Sequence, residues 1–208
     1  MNTQLQIVNT DRNPVIVFVT LGATPGCLQD VSKIPFVKNV IAPLVGSFVL
    51  KPGELVGPYA PDGLGFNGNL SFGTQPMNCP TPQFPNGISI FEFILNNGFQ
   101  AGNPQETVDI SCVAGVNCLI KCGLSGPEWN AGASQPNVKA IENGRVGTNT
   151  GRVGVFPYGC DNCTEITSPP VCPGHPPYET PQSEPICNVQ RNARSTGGLV
   201  KVTFLGSV

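Results

Sequence analysis

A chain of 208 residues with a net charge of −2 and only 12% charged residues lacks the electrostatic footprint of a nucleic-acid binder, and no run of Lys or Arg restores it. No apolar stretch approaches the roughly 18 residues of a membrane span, and the N-terminus has neither the basic nor the apolar region of a signal peptide. The 25 glycines and 22 prolines argue against long helices and for many short strands joined by tight turns, an all-β body large enough to bury a substantial core.

In chain order, Leu5 and Ile7 alternate with Gln4 and Gln6. Asn9 to Pro14 then supply turn residues, and Val15 to Thr20 form a second apolar run, so the first twenty residues predict a hairpin with a longer loop. Thr24 to Pro43 has no clean period and reads as an insertion or a surface loop with an extra strand. Gly46 to Leu50 resumes strand character, and Lys51 to Glu54 turns. From Gly65, the residues Phe66, Gly68, Leu70 and Phe72 alternate with Asn67, Asn69 and Ser71. Gly63, Gly65 and Gly68 match the dinucleotide-binding spacing, but no helix follows to hold a pyrophosphate, and bulged strand glycines are the better reading.

The central block, Gly87 to Asn117, carries the candidate chemistry. Ile88 to Leu95 is β-branched and aromatic, a buried or half-buried strand that includes Glu92, and Asn96-Asn97-Gly98 turns it. In Thr107 to Val113, Val108, Ile110 and Cys112 share one face and Asp109 lies on the other. Each of two neighbouring strands therefore offers one carboxylate to a cleft. Glycoside hydrolysis needs such a pair, one group to protonate the leaving oxygen and one to act as nucleophile or to activate water. The bland alternatives are a solvated strand carboxylate for Glu92, and for Asp109 a group that ties down the adjoining turn.

Beyond Asn117 lies a region, to about Cys187, with few apolar runs and most of the nine cysteines. It predicts a loop-rich lobe over 118–187 in which bridges replace a core, as in chains of an oxidising, extracellular compartment. Nine is odd, so at least one thiol is left over; Cys112, on the apolar face of its strand, is expected to be a buried free one. Cys160, Cys163, Cys172 and His175 also have ligand types and spacing that a tetrahedral zinc site uses, although three prolines around the sole histidine fit a rigid turn as well. No other metal and no cofactor is implied. Gly144-Arg145-Val146-Gly147 recurs as Gly151-Arg152-Val153-Gly154, too short a period for a solenoid. Gly198 to Leu205 is a strong final strand, expected to pair with the N-terminal one.

Glu92-Phe93-Ile94-Leu95-Asn96, Val108-Asp109-Ile110-Ser111 and Gly115-Val116-Asn117, in that order, resemble the thaumatin-like proteins, which include pathogenesis-related, antifungal defence proteins. Leu5 to Asn9, Gly46 to Glu54, Gly65 to Gly73 and a closing Cys172-Pro173, Tyr178, Cys187 and Val200 to Phe204 fall in the family's order. The resemblance implies one domain over 1–208, a β-sandwich with a disulfide-stapled lobe; the nine cysteines in a low-charge, Gly- and Pro-rich chain separately lead to the expectation that it is secreted and that Met1 replaces a removed signal segment. It places Glu92 and Asp109 on two of the family's four acidic cleft positions. A third is Ala114 here, and the family's arginine falls near Phe72. The two late cysteines are expected to reach back, as Cys118–Cys187 and Cys122–Cys172, with a local Cys160–Cys163 link.

The expected function is binding of a β-glucan-like polysaccharide by a monomer in the cleft of Glu92 and Asp109. Phe72 and Tyr158 are its candidate aromatic contacts, with Phe99, Trp129 and Tyr178 also available; Trp129 is equally suited to plug a hole in the core. The alternatives are a weak endo-β-1,3-glucanase with Glu92 and Asp109 as acid and base, and a structural or protein-interaction member without a sugar site.

Overall fold

The computed structural model of the chain describes residues 2–23, 29–63, 65–73, 88–97, 105–111, 117–131, 136–143, 188–192 and 197–207. Within them lie twelve strands: β1 (Gln4–Asn9), β2 (Val15–Leu21), β3 (Asn39–Ala42), β4 (Val45–Leu50), β5 (Leu55–Tyr59), β6 (Phe66–Phe72), β7 (Ile90–Leu95), β8 (Gln105–Ser111), β9 (Cys118–Leu124), β10 (Ala140–Glu142), β11 (Asn188–Asn192) and β12 (Leu199–Ser207). The sole helical element among these residues is a 3-10 turn at Val31–Lys33, capped by the Asp30 carboxylate, which accepts from the Ser32 N–H. No helix among them is long and apolar enough to cross a membrane. The all-β expectation holds.

The strands form a five-stranded sheet, β10-β9-β12-β1-β5, and a seven-stranded sheet, β11-β8-β7-β6-β2-β4-β3, in a sandwich-like arrangement. Period-two alternation builds the core. Leu5 and Ile7 of β1, Ile120 of β9 and Val200, Val202 and Phe204 of β12 are buried from one sheet. Val17 and Val19 of β2, Phe66, Leu70 and Phe72 of β6, Phe91, Phe93 and Leu95 of β7 and Val108 and Ile110 of β8 are buried from the other. Rings bridge the sheets: Phe72 stacks on Phe204 with centroids 5.3 Å apart, and Tyr59 meets Phe66 edge-on at 5.6 Å.

The terminal strands pair as expected, with β1 parallel to β12 in register from Gln4 opposite Leu199 to Asn9 opposite Phe204. β1 and β2 are not a hairpin, however. β1 joins the five-stranded sheet, β2 pairs with β4 and β6 in the other, and the turn of residues 10–14 crosses between layers. Asn9 holds that corner: its Nδ2 donates to the carbonyls of Asn13 and Leu50, and its Oδ1 accepts from the Asp11 N–H.

The start of the expected loop-rich lobe is also corrected. Residues 118–124 are β9, hydrogen-bonded to β12 and β10, and Cys118, Ile120, Cys122 and Leu124 point into the core. The cysteines there behave as small apolar residues on the inward phase. Cys122 is a fully buried free thiol rather than half of a Cys122–Cys172 bridge. Burial pushes its pKa up. The expected partners Cys172 and Cys187, the Cys160–Cys163 link, Cys112, Tyr158 and the zinc candidate with His175 lie outside the described residues.

One end of the sandwich is tied by a buried ion pair. Arg191 Nε of β11 lies 2.7 Å from Glu106 Oε2 of β8, both side chains sealed from solvent. Arg191 Nη2 donates to Thr3 Oγ1 at 2.9 Å and to the Gly197 carbonyl at 2.6 Å, Nη1 donates to the Pro127 carbonyl, and the guanidinium lies 4.2 Å from the Trp129 ring centroid. Thr3 Oγ1 donates in turn to Glu106 Oε2, and Glu106 Oε1 accepts from the Asn96 N–H. Thr3 and Gly197 lead into the five-stranded sheet, so the knot pins the seven-stranded sheet to it and fixes the level of β8 against β7.

Candidate functional site

β7 and β8 are antiparallel, and their register sets Glu92 directly opposite Asp109. On β7 the core takes Phe91, Phe93 and Leu95, so Glu92 and Ile94 point outward; on β8 it takes Val108 and Ile110, so Thr107 and Asp109 point outward. The same level continues across the sheet. Asn69 of β6 stands opposite Glu92, and Thr20 of β2 stands opposite Asn69. Thr20, Asn69, Glu92 and Asp109 thus form one straight row across four strands on the outer face.

That row floors a cleft of about 370 Å³. Its second line of residues, Gly22, Asn67, Ile94 and Thr107, lies one step along the strands in the same register. Gln29 fixes that side: its Nε2 donates to the Asn67 side-chain oxygen and to the Gly22 carbonyl, and its Oε1 accepts from the Asn67 N–H. Glycine is required where β2 and β6 run side by side under the cleft. A Cβ on Gly68 would lie 2.2 Å from the Thr20 carbonyl oxygen and 3.0 Å from Leu21 Cα.

The two carboxylates differ in burial, Glu92 being exposed and Asp109 only 7% exposed. Directly opposed residues of an antiparallel pair have Cβ atoms about 4.5–5.5 Å apart, within reach of a single ligand group. Carboxylates, an amide and a hydroxyl at such spacing form a hydrogen-bonding floor, and the half-exposed Ile94 adds apolar surface beside it. Among the described residues, no group of three or more His, Cys, Asp or Glu side chains is arranged to hold a metal ion.

The expected aromatic contact at Phe72 is corrected. Its parity on β6 is that of Phe66 and Leu70, opposite to Asn69, so the ring is 1% exposed and stacked in the core. Trp129 is likewise buried, with its Nε1 donating to the Ser125 carbonyl at 3.3 Å and Arg191 over its face. Thr20 and Asn69 were not anticipated as part of the site. The alternation of Asn67, Asn69 and Ser71 with apolar residues shows that Asn69 faces outward, but only the register of four strands aligns it with Glu92 and Thr20.

A second hollow, of about 480 Å³, is lined by residues of β4 and β5 and by Phe36, Phe48 and Tyr59, with Lys38 and Glu54 also in its wall. Burial, and then the negative charge of Asp62, raise the Tyr59 phenol's pKa. It has no convergent set of polar groups like that of the outer row.

No protein-family model matches the chain, and no curated protein matches it. Among solved structures, the protein elicitor MoHrip2 from Magnaporthe oryzae is similar with a TM-score of 0.38 and 8% identity over 98% of this chain and 99% of that one. Similarity at that level says nothing about how this chain works.

Proposed function

We propose that the outer cleft of the seven-stranded sheet binds a neutral, β-glucan-like polysaccharide, and that the chain is a divergent, secreted thaumatin-like protein acting in defence or at a cell wall. The observation that carries this reading is the direct cross-strand pairing of Glu92 with Asp109 on the floor of one cleft. Carboxylates accept strong hydrogen bonds from hydroxyl groups and have four lone-pair sites each, which suits a ligand covered in O–H donors. Ile94 supplies apolar surface for the C–H face of a sugar ring. Titration calorimetry with a laminarin-type glucan tests it. The wild-type chain should bind, and the double replacement Glu92→Gln with Asp109→Asn should weaken binding at least tenfold; binding untouched by that replacement ends the reading.

A second reading, weak endo-β-1,3-glucanase activity, is favoured by the same pairing together with the unequal burial of the two groups. Glycoside hydrolysis needs one carboxyl group as acid and a second as base or nucleophile, and the register puts two on neighbouring strands at one level of the same cleft. Release of reducing ends from laminarin that disappears in Glu92→Gln supports it. Binding without release leaves the lectin-like function alone.

A further inference from the structure

Two oxygens in the row have nothing to bond to. Thr20 is 2% exposed and its Oγ1 has no hydrogen-bond partner, and the buried Asn69 Oδ1, on the next strand, has none either. Buried polar groups are nearly always paired, so an exception calls for a reason, and a ligand that completes the pairing is one. Both residues line the cleft, and they stand side by side in the row that ends in Glu92 and Asp109. β2, which carries Thr20, and β6, which carries Asn69, are held in close contact by the glycine at position 68.

We propose that Thr20 and Asn69 are sugar-binding subsites, so that the glycan lies across the strands with one end over Asp109 and the other over Thr20. This rests on the polysaccharide reading above and gives it a direction and a length. Neighbouring strands are about 4.8 Å apart, so the row from Thr20 to Asp109 spans three gaps, roughly 14 Å, the length of several linked pyranose rings rather than one. A sugar hydroxyl donates to Asn69 Oδ1 and either donates to or accepts from Thr20 Oγ1. Both oxygens are buried in the unbound chain, so the proposal requires a turn about Thr20 χ1 or Asn69 χ2 on binding. A disaccharide fills the carboxylate end alone. Longer chains gain the amide and then the hydroxyl.

The test is calorimetry of the full chain with β-1,3-linked glucose oligomers of two to six units, alongside thermal melting, for wild type, Thr20→Val and Asn69→Ala. Wild-type affinity should climb with length. Thr20→Val should lose roughly three- to tenfold on the longest oligomer, the worth of one hydrogen bond, and nothing on the disaccharide. Its melting temperature should hold or rise, because an unpartnered hydroxyl leaves the interior. Asn69→Ala should show its loss at an intermediate length. Variants that match wild type at every length overturn the subsites while leaving glucan binding by Glu92 and Asp109 intact. A loss equal at all lengths, or a lowered melting temperature in Thr20→Val, also overturns them, since the hydroxyl then serves the fold. A wild-type chain that binds no oligomer ends both this inference and the reading beneath it.

Discussion

β8 carries two carboxylates three residues apart, and they occupy opposite surroundings. Glu106 faces inward, where both oxygens are claimed by Arg191, Thr3 and the Asn96 backbone. Asp109 faces outward into a cleft, in a row where the Thr20 hydroxyl and the Asn69 amide oxygen have no bond. One strand therefore separates two uses of the same chemistry by parity alone. A buried network satisfied at every atom fixes how two sheets meet; a polar row with open valences is poised for something outside the chain.

The largest expected effect breaks the inward side. Arg191→Met strips the guanidinium from Glu106 and leaves a sealed carboxylate unpaired, which should destabilise the fold by about 3–5 kcal/mol in urea unfolding. The double replacement Arg191→Met with Glu106→Leu removes both charges and should recover part of that loss. Glucan binding by whatever remains folded should be unchanged, because the cleft lies on the other face. A single replacement that costs less than about 1 kcal/mol would show that the knot is not what ties the sheets.

The next effect strikes the outward side through its backbone. Gly68→Ala places a methyl group 2.2 Å from the Thr20 carbonyl oxygen, so β2 and β6 must separate. Overpacking of this kind costs about 1–3 kcal/mol. Unlike the knot variants, this one should also lower glucan affinity, since it shifts Thr20 against Asn69. Equal affinity in Gly68→Ala and wild type would detach the β2–β6 half of the row from binding.

Much of this was readable from parity. The alternation in 66–72 separates Phe66, Leu70 and Phe72 from Asn67, Asn69 and Ser71, and that in 107–111 puts Asp109 on the face away from Val108 and Ile110, while the runs around 90–95 and 199–205 are legible as strands. Parity also held the correction to Phe72, which shares its phase with Phe66 and Leu70 and so cannot face the cleft beside Asn69. Layer assignment was not readable. β1 and β2 both look like half-buried strands, and no local pattern says that the turn between them changes sheets. In β9, cysteine chemistry suggested bridges where the inward phase, shared with Ile120 and Leu124, pointed to packing. The Glu106–Arg191 pair spans 85 residues of sequence, and two charges that far apart leave no local signal.

The smallest effect supplies a reference for both kinds of carboxylate, a titratable group that neither network touches. Cys122 is sealed in the core, and burial raises its pKa above that of a thiol in the unfolded chain. Below the ordinary thiol value of about 8.5, both states keep the proton and the stability linked to this group is fully present. As pH climbs past that value the unfolded chain ionises while the folded chain does not. Stability is then lost progressively toward the folded-state pKa, at up to about 1.4 kcal/mol per pH unit. Urea unfolding between pH 8 and 10 should therefore show a shallower decline in Cys122→Val than in wild type, with the two curves parallel below pH 8. Native Cys122 should also resist alkylation across that range, read by peptide mass mapping, because its sulfur meets neither solvent nor a base. Parallel curves throughout, or ready alkylation of the folded chain, would mean that the sulfur is reached from outside, and that the core beneath β9 is less closed than the one beneath β8.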